Sequence, residues 1–345
     1  MDRYPYILGC LLGTAAGDAV GLSREGLSRR RSKRMHGGIP LLPNLAMGYG
    51  FCSDDTEHTQ MTARALAISR MDADKFAGEL GWQLKQWLLT LPAGIGMATL
   101  RSCFKLLLGN GPDTSGVFSA GNGPAMRSSI IGVTATTDQQ MLDLVERCTR
   151  ITHTDPKAYE GALLVAQASR LAVHGDRVSP VEFLGQMARQ VQGEELREHL
   201  ERATECLLEN ATPDQFADAQ GWKHGISGYI NQTVPVALYC WARYPQDFRR
   251  CVESAVLLGG DSDTVGAIAG AICGANLGHD HIPEPWLSRI AFWPRGREWH
   301  EALARSLEDF DSKSPSMQWL ATVPRNLLFA TIVITVGMRR LLPPY

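Results

Sequence analysis

The chain has 345 residues, of which 44% are hydrophobic and 20% are charged, and its formal net charge is −2 at pH 7. These values are ordinary for a soluble globular protein with a large core. A net charge so close to zero excludes a strong overall attraction to nucleic acid or to anionic lipid. We expect a single domain over residues 1–345, with an apolar C-terminal helix at about 324–342 as part of it.

The first predicted helix carries glycine at every fourth position, at residues 9, 13, 17 and 21. Glycine within a helix costs about 1 kcal/mol relative to alanine, so a row of four needs a structural reason. A four-residue repeat places the glycines on one stripe of the helix, and the same spacing recurs at residues 266, 270, 274 and 278. We predict that these two helices pack closely, backbone against backbone.

A basic run follows the first helix, with the sequence Arg29-Arg30-Arg31-Ser32-Lys33-Arg34. Runs of this kind are usually solvated loops. The alternative interpretation is a flap that faces the phosphate groups of a ligand. The sequence leaves both interpretations open.

Two short acidic clusters each open a predicted helix, namely Ser53-Asp54-Asp55-Thr56 and Asp261-Ser262-Asp263-Thr264. One interpretation is helix capping, because Ser, Thr and Asp accept hydrogen bonds from the free N–H groups of a first turn. The other is a split metal site, because Mg²⁺ and Mn²⁺ prefer carboxylate and hydroxyl oxygens. A cap needs one side chain, whereas each cluster supplies two acids and a hydroxyl, so we favour the metal site.

Helical signals recur between the clusters, and the strict alternation typical of strands is almost absent. Ser179 and Glu182, like Thr137 and Gln140, have the spacing of a capping box, and Asp155 precedes a first-turn proline. The sequence therefore predicts an all-α fold.

The most apolar run, Leu327 to Met338, is too short to span a bilayer. We interpret it as a buried helix or as a helix at the subunit contact of a homo-oligomer, and we expect no membrane association. The eight cysteines show no CxxC pair, and the N-terminus lacks the pattern of a secretory signal. Both observations favour a reducing compartment, so we expect a cytoplasmic protein.

Taken in chain order, five segments resemble the ADP-ribosylglycohydrolase family. They are Leu12-Gly13-Thr14-Ala15-Ala16-Gly17-Asp18-Ala19-Val20-Gly21, Ser53-Asp54-Asp55-Thr56, Gly121-Asn122-Gly123-Pro124-Ala125-Met126-Arg127, Thr152-His153-Thr154-Asp155-Pro156 and Gly259-Gly260-Asp261-Ser262-Asp263-Thr264. The resemblance implies a compact, orthogonal multi-helix bundle with a cleft that binds ADP-ribose over a binuclear centre of two Mg²⁺ or Mn²⁺ ions.

The resemblance also implies roles for individual residues. The implied metal ligands are Ser53, Asp54, Asp55, Asp261, Asp263 and Thr264. Glu25 matches a flap glutamate that lies over the metals in similar proteins. The implied ADP-ribose pocket contains Gly121, Asn122, Gly123 and His153. Tyr229, at a predicted loop-to-helix junction, is interpreted either as a ring against the adenine or distal ribose or as a core aromatic.

Hydrolysis of a bond to ribose passes through an oxocarbenium-like state, which requires an oriented sugar and an activated water. Two metal ions orient such a sugar and lower the pKa of a water, and a carboxylate then accepts its proton. Asp261 is the first candidate for this general base and Asp55 is the second. Glu25 either assists the leaving group or is a solvent-facing acid of a loop.

The resulting hypothesis is an ADP-ribosyl hydrolase that acts on an ADP-ribosylated protein or a small ADP-ribose conjugate, with nucleic acid only as an ADP-ribosylated substrate. Arginine is the preferred acceptor and serine is the next, although acceptor choice depends on loop shape. One alternative is a catalytically idle ADP-ribose-binding protein. Another is a two-metal phosphohydrolase, which the lack of histidine in either cluster disfavours.

Overall fold

The protein is described here by a computed structural model that covers residues 2–174 and 179–343. Over these residues the chain is helical, and backbone pairing between extended segments is limited to isolated bridges, so the all-α prediction is confirmed. The helices are α1 (Tyr4–Leu22), α2 (Arg29–His36), α3 (Asp54–Ser69), α4 (Ala73–Leu89), α5 (Met97–Leu107), α6 (Pro112–Ser115), α7 (Ser129–Thr134), α8 (Asp138–Arg150), α9 (Pro156–His174), α10 (Pro180–Gln190), α11 (Glu194–Leu208), α12 (Pro213–Ala219), α13 (Ile230–Arg243), α14 (Phe248–Leu257), α15 (Ser262–Leu277), α16 (Glu284–Leu287), α17 (Arg297–Glu308) and α18 (Trp319–Arg339).

The predicted helix starts are present, with one difference in detail. Ser179 and Glu182 form a complete capping box at α10. At α8, the Thr137 side chain accepts a hydrogen bond from the backbone N–H of Gln140, while the Gln140 side chain binds Thr136 instead of closing the box. Short-range capping chemistry is therefore read correctly from the sequence, apart from the exact partner of a flexible side chain.

The two glycine helices, α1 and α15, lie antiparallel and in direct backbone contact, as predicted. Gly13 faces Gly270 and Gly17 faces Gly266. A Cβ atom at either position of α1 would collide with the carbonyl group of the opposite glycine. The missing side chains thus let the two helix axes approach more closely than ordinary side-chain packing allows.

This contact also reaches the helix ends that carry the motifs. A Cβ atom on Gly21 would lie 2.6 Å from the Cα atom of Asp263. Ser262 donates a hydrogen bond from its Oγ to the carbonyl oxygen of Gly21 at 3.0 Å. The segment that follows α1 is therefore held against the second acidic cluster.

The C-terminal helix differs from its prediction in length and burial. α18 has 21 residues, and by length and composition both α18 and α1 could cross a membrane. The most apolar window of α1 is 89% buried, as in a core helix, whereas that of α18 is only 22% buried. The interpretation of the C-terminal run as a buried helix is therefore wrong, and its apolar side chains Leu327, Leu328, Ile334 and Met338 are exposed.

The basic run is helical, so its interpretation as a loop is wrong. Ser28 caps α2, which begins at Arg29. Arg29 forms a salt bridge with Asp218 at 2.6 Å and donates to the carbonyl oxygens of Trp222 and Leu258. No residue of this run lines the main cavity described below.

Candidate active site

The two acidic clusters lie against each other at the N-terminal ends of α3 and α15. Thr264 donates a hydrogen bond from its Oγ1 to Asp55 Oδ2 at 3.2 Å, across 209 positions of sequence. Ser53 donates from its Oγ to the same carboxylate oxygen at 3.1 Å. The close packing of α1 on α15, together with the contact of α1 with α3, produces this meeting.

Capping accounts for one cluster and not for the other. Ser53 is the N-cap of α3, and its side chain accepts a hydrogen bond from the backbone N–H of Asp55. Asp261 occupies the N-cap position of α15 but makes no side-chain capping bond. Its Oδ2 instead accepts a hydrogen bond from Asn122 Nδ2 at 2.5 Å. The Asp261 carboxylate is therefore held toward the cleft by a residue from a distant loop.

A third acid, Asp18 of α1, completes the acidic floor and had no role in the sequence interpretation. Asp18, Asp55 and Asp263 each offer a carboxylate oxygen within 4.8 Å of the others, and all three are buried. Asp18 also accepts hydrogen bonds from the backbone N–H of Ser53 and from the Thr56 hydroxyl. The available signal was its position, because an acid inside an apolar glycine helix must be buried.

The floor of the site fits a hard divalent cation. Asp55 Oδ1 and Asp263 Oδ1 are buried, and neither has a hydrogen-bond partner among the described residues. A buried carboxylate oxygen without a partner is costly unless a cation balances it. The donors at this floor are carboxylate and hydroxyl oxygens, which suit Mg²⁺ or Mn²⁺ better than the nitrogen and sulfur donors of zinc sites.

The pKa values of the acids in this site also favour a cation site. Burial, followed by repulsion from neighbouring acids, holds the pKa values of Asp54, Asp55 and Asp263 well above the ordinary range. Burial raises the pKa of Asp18 to about 6, against the opposing effect of its hydrogen bonds. Glu25 is exposed as a whole residue, yet its pKa is also raised, by partial desolvation of the carboxyl group and then by Asp261. Such a concentration of like charge favours binding of a cation.

A cavity of about 580 Å³ opens above this floor. Its acidic end is lined by Glu25, Asp54, Asp261, Asp263 and Thr264. The cavity is also lined by Met97, Thr99, Gly121, Asn122, Gly123, Met126 and His153, among others. The volume is within the range of pockets that hold small organic ligands. One cavity therefore combines four of the six predicted metal ligands with most of the predicted pocket residues, while Ser53 and Asp55 do not line it.

His153 is held as a neutral ring at the glycine-rich end. Burial and the positive charge of Arg127 lower its pKa to about 3. Arg127 donates to Thr152 Oγ1 at 2.6 Å, and that oxygen lies 2.9 Å from His153 Nδ1. Because a guanidinium only donates, the Thr152 proton is available to Nδ1, which leaves Nε2 as the N–H donor. A Cβ atom on Gly121 or Gly123 would come within 3.1 Å of this ring.

Tyr229 is placed differently from the other predicted pocket residues. Its side chain does not line the cavity, and it is only partly buried, so it fits neither interpretation made from the sequence. The Tyr229 hydroxyl donates to Glu195 at 2.5 Å and accepts from Lys157 at 2.6 Å. Only its backbone reaches the site, through an isolated bridge to Gly121.

Two consecutive glycines place Asp261 at the mouth of the cleft. Gly259 and Gly260 have φ values of +70° and +77°, which side chains of other residues rarely tolerate. Gly260 forms isolated bridges with Leu27 on one side and Ile226 on the other. The Gly-Gly-Asp sequence thus ties the segment after α1 and the loop before α13 to the acidic floor.

These features define a class of protein, namely an all-α protein with a cleft of small-molecule size beside a buried group of acids that could hold a metal ion. The family model of ADP-ribosylglycohydrolase matches residues 1–315, and the chain belongs to this family. The family is metal-dependent, and its members are hydrolases that act on ADP-ribose conjugates.

Individual relatives agree with this membership. The chain is 31% identical to human ADP-ribosylhydrolase ARH3 over 58% of this chain and 61% of the human protein. It is 27% identical to the ADP-ribosyl-[dinitrogen reductase] glycohydrolase of Rhodospirillum rubrum, over 82% of this chain and 89% of that protein. A solved ADP-ribosylglycohydrolase-related protein complex superposes with a TM-score of 0.67 at 29% identity, covering 90% of this chain and 99% of that one.

Proposed function

We propose that this protein removes ADP-ribose from a protein side chain by metal-dependent hydrolysis of the glycosidic bond, at a centre of two Mg²⁺ or Mn²⁺ ions. The observation that carries the proposal is the pair of buried carboxylate oxygens without partners, Asp55 Oδ1 and Asp263 Oδ1, which belong to one acidic group that reaches the cavity through Asp263. They come from two different helices, so a cation between them would join both halves of the site. Family membership supplies the substrate class.

The ligand set of the proposal is Ser53, Asp54, Asp55, Asp261, Asp263 and Thr264. When bound, the ions would orient the ribose hydroxyls and lower the pKa of a water. Asp18 would position this ligand set, because its hydrogen bonds with Ser53 and Thr56 fix the first turn of α3. The hydroxyls of Ser53 and Thr264 both bind Asp55 Oδ2, which leaves Oδ1 directed to a cation.

The proton of the attacking water is assigned to Asp261, with Asp55 as the second candidate. The Asn122 amide holds Asp261 Oδ2, so this carboxylate keeps one orientation at the cavity, which it lines. Glu25 lines the cavity from the segment after α1 and is exposed at its mouth. Its position suits contact with the leaving group or control of entry to the cleft.

Arginine is the proposed acceptor, ahead of serine. A guanidinium leaving group is favoured by an acidic rim, and Glu25 supplies an exposed carboxylate there. The name of the Rhodospirillum rubrum relative, a glycohydrolase of ADP-ribosyl-dinitrogen reductase, shows that a related protein acts on a modified protein.

The test is release of free ADP-ribose from arginine-, serine- and nucleic-acid-linked substrates, each with Mg²⁺, Mn²⁺ or a chelator. We expect metal-dependent release from a protein-type substrate, fastest from arginine. The Asp261→Asn variant should bind ADP-ribose and lose release. Binding of ADP-ribose by the wild-type protein without release from any substrate would instead support an idle binding protein. Release of phosphate or AMP in place of ADP-ribose would indicate a phosphohydrolase.

We also propose that the protein is cytoplasmic and self-associates through the exposed face of α18. All eight cysteines lie within the described residues and are buried free thiols, which suits a reducing compartment. Exposed apolar side chains such as Ile334 and Met338 suit a subunit contact. Light scattering after size exclusion should show an oligomer that Met338→Glu dissociates. A monomer that pellets with lipid vesicles would contradict this proposal.

A further inference from the structure

The helix α18 follows the residues matched by the family model, which end at 315. Its first half is anchored beside the first acidic cluster. The Arg325 guanidinium donates to the carbonyl oxygen of Cys52, the residue before Ser53, and lies 3.7 Å from Glu57. Asn326 donates to the backbone and side-chain oxygens of Thr90 at 3.0 and 2.9 Å. One end of α18 is thus attached to the loop that enters the metal site.

The other end of α18 is attached to the segment that carries Glu25. Arg340, immediately after the helix, donates from Nη1 to the carbonyl oxygen of Glu25 at 2.6 Å and from Nη2 to that of Ser23 at 2.9 Å. The carbonyl oxygen of Arg340 in turn accepts a hydrogen bond from Arg31 of α2. Arg340 is therefore held on both sides, by its own helix and by α2.

The outer edge of the segment that carries Glu25 is held by these contacts and by the Arg24 side chain, which donates to Ser32 Oγ and to the carbonyl oxygens of His36 and Gly37. Residues 23–28, here called the flap, are tied inward by the bonds of Gly26 and Leu27 to Gly260. Among the described residues, no backbone N–H binds the carbonyl oxygens of Ser23 or Glu25. The forked guanidinium of Arg340 binds both at once, a geometry that the point charge of a lysine does not reproduce.

We propose that Arg340 is a positioning residue that holds the flap closed over the cleft and thereby sets the place of the Glu25 carboxylate. The inference rests on the proposed function of Glu25 at the cavity mouth. Arg340 binds the backbone of Glu25, so the carboxylate stays free to face the cavity, which it lines. α18 then acts as a strap between the loop before Ser53 and the flap, and both sides of the cleft keep one relative position.

The expected signature separates positioning from general stability. Charge-assisted hydrogen bonds to a fixed partner are worth enough that Arg340→Met should lower kcat roughly 10-fold. The Kd for free ADP-ribose should change less than about 2-fold, because Arg340 itself does not line the cavity. Arg340→Lys keeps the charge without the fork, so its kcat should lie between those of the wild type and Arg340→Met.

Arg339→Met is the matched control, since the exposed Arg339 donates to the carbonyl oxygen of Pro343 and not to the flap. It should keep the wild-type kcat. Hydrogen–deuterium exchange supplies a readout without catalysis. In Arg340→Met, exchange at the amides of residues 23–28 should accelerate while that of α1 and α15 stays unchanged.

ADP-ribose release and hydrogen–deuterium exchange together distinguish the proposed hydrolase function from the positioning role of Arg340. If the wild-type protein releases no ADP-ribose while Arg340→Met still loosens the flap, the proposed function fails and the positioning role stands. If flap exchange is the same in Arg340→Met and Arg339→Met, or if both variants lose activity equally, the positioning role is overturned. A variant that melts as a whole would show faster exchange in α1 and α15 too, which would assign Arg340 a purely structural role.

Discussion

Asp55 and Glu57 lie two residues apart in the first turn of α3, and both are buried, yet their surroundings are opposite. Glu57 accepts hydrogen bonds from Arg295 at 2.6 Å and from Trp87 Nε1 at 2.7 Å. Asp55 receives only hydroxyl donors from the described residues, and one of its oxygens has none. The protein thus balances one buried acid with its own arginines and leaves the other without a positively charged partner among the described residues.

The pKa shifts follow this difference. Burial by itself would raise the pKa of Glu57, but Arg325 and Arg295 outweigh it and the pKa is lowered. Around Asp55, burial and the neighbouring acids act together and raise the pKa. A buried acid with its own arginine partners indicates a structural element, whereas a group of buried acids without one indicates a ligand site.

The largest expected effect comes from removing the balanced charge. Glu57→Gln leaves Arg295 and Arg325 buried without a counter-charge, so the free energy of unfolding should fall by about 3–5 kcal/mol. Urea unfolding measures this. Glu146→Gln, which removes an exposed partner of Arg150, is the control and should change stability by less than about 1 kcal/mol. Equal losses of stability in the two variants would show that Glu57 does not balance the charges of Arg295 and Arg325.

Removing an unbalanced charge should act on activity instead of stability. Asp263→Asn should lower the rate of ADP-ribose release at least about 100-fold through loss of metal affinity. With chelator present, the same variant should be as stable as the wild type or more stable, because one repelling charge is gone. Asp280→Asn, at an exposed carboxylate, is the matched control. A loss of stability in Asp263→Asn, without chelator-sensitive activity, would show that Asp263 has a structural role like that of Glu57.

The two groups should also respond to pH with opposite signs. An acid with a raised pKa binds more protons in the folded than in the unfolded state. Without metal, the contribution of these acids therefore makes the free energy of unfolding fall as the pH rises from the ordinary pKa near 4 to about 6, the pKa of Asp18. The lowered pKa of Glu57 gives stability that is lost as pH falls below 4.

Metal should reverse the first trend. Mg²⁺ at 100 times its Kd adds about 2.7 kcal/mol to the free energy of unfolding, and it binds the deprotonated acids. The rise in Tm on adding Mg²⁺ should therefore be larger at pH 7.5 than at pH 5. Differential scanning calorimetry with and without chelator checks this. A metal-induced shift that is equal at the two pH values would contradict the assignment of the raised acids as ligands.

The smallest expected effect concerns the support of Asp261. Asn122→Ala removes the amide that orients Asp261 and should lower kcat by about 10-fold, with stability nearly unchanged. Asn110→Ala, at an exposed position, is the control. A kcat for Asn122→Ala equal to that of the control would show that Asp261 keeps its place without the amide.

Much of the fold was readable from the sequence. The glycine stripes, the caps at Ser179 and Thr137 and the all-α class were predicted because they depend on residues one to four positions apart. The acidic clusters were found for the same reason, and the family resemblance added Glu25, Asn122 and His153. The sequence did not predict the exposure of α18 or the direction of the Tyr229 side chain. Both depend on neighbouring residues that no local pattern describes.

The sequence by itself therefore determined the all-α class, the tight pairing of α1 with α15 and the family of the protein. Only the tertiary structure decided which acids have partners. Asp18 binds a residue 35 positions away, Arg295 reaches Glu57 across 238, and Arg340 reaches Glu25 across 315. Such contacts depend on the mutual placement of whole helices, and the energy of a buried charge depends on everything within a few ångströms of it.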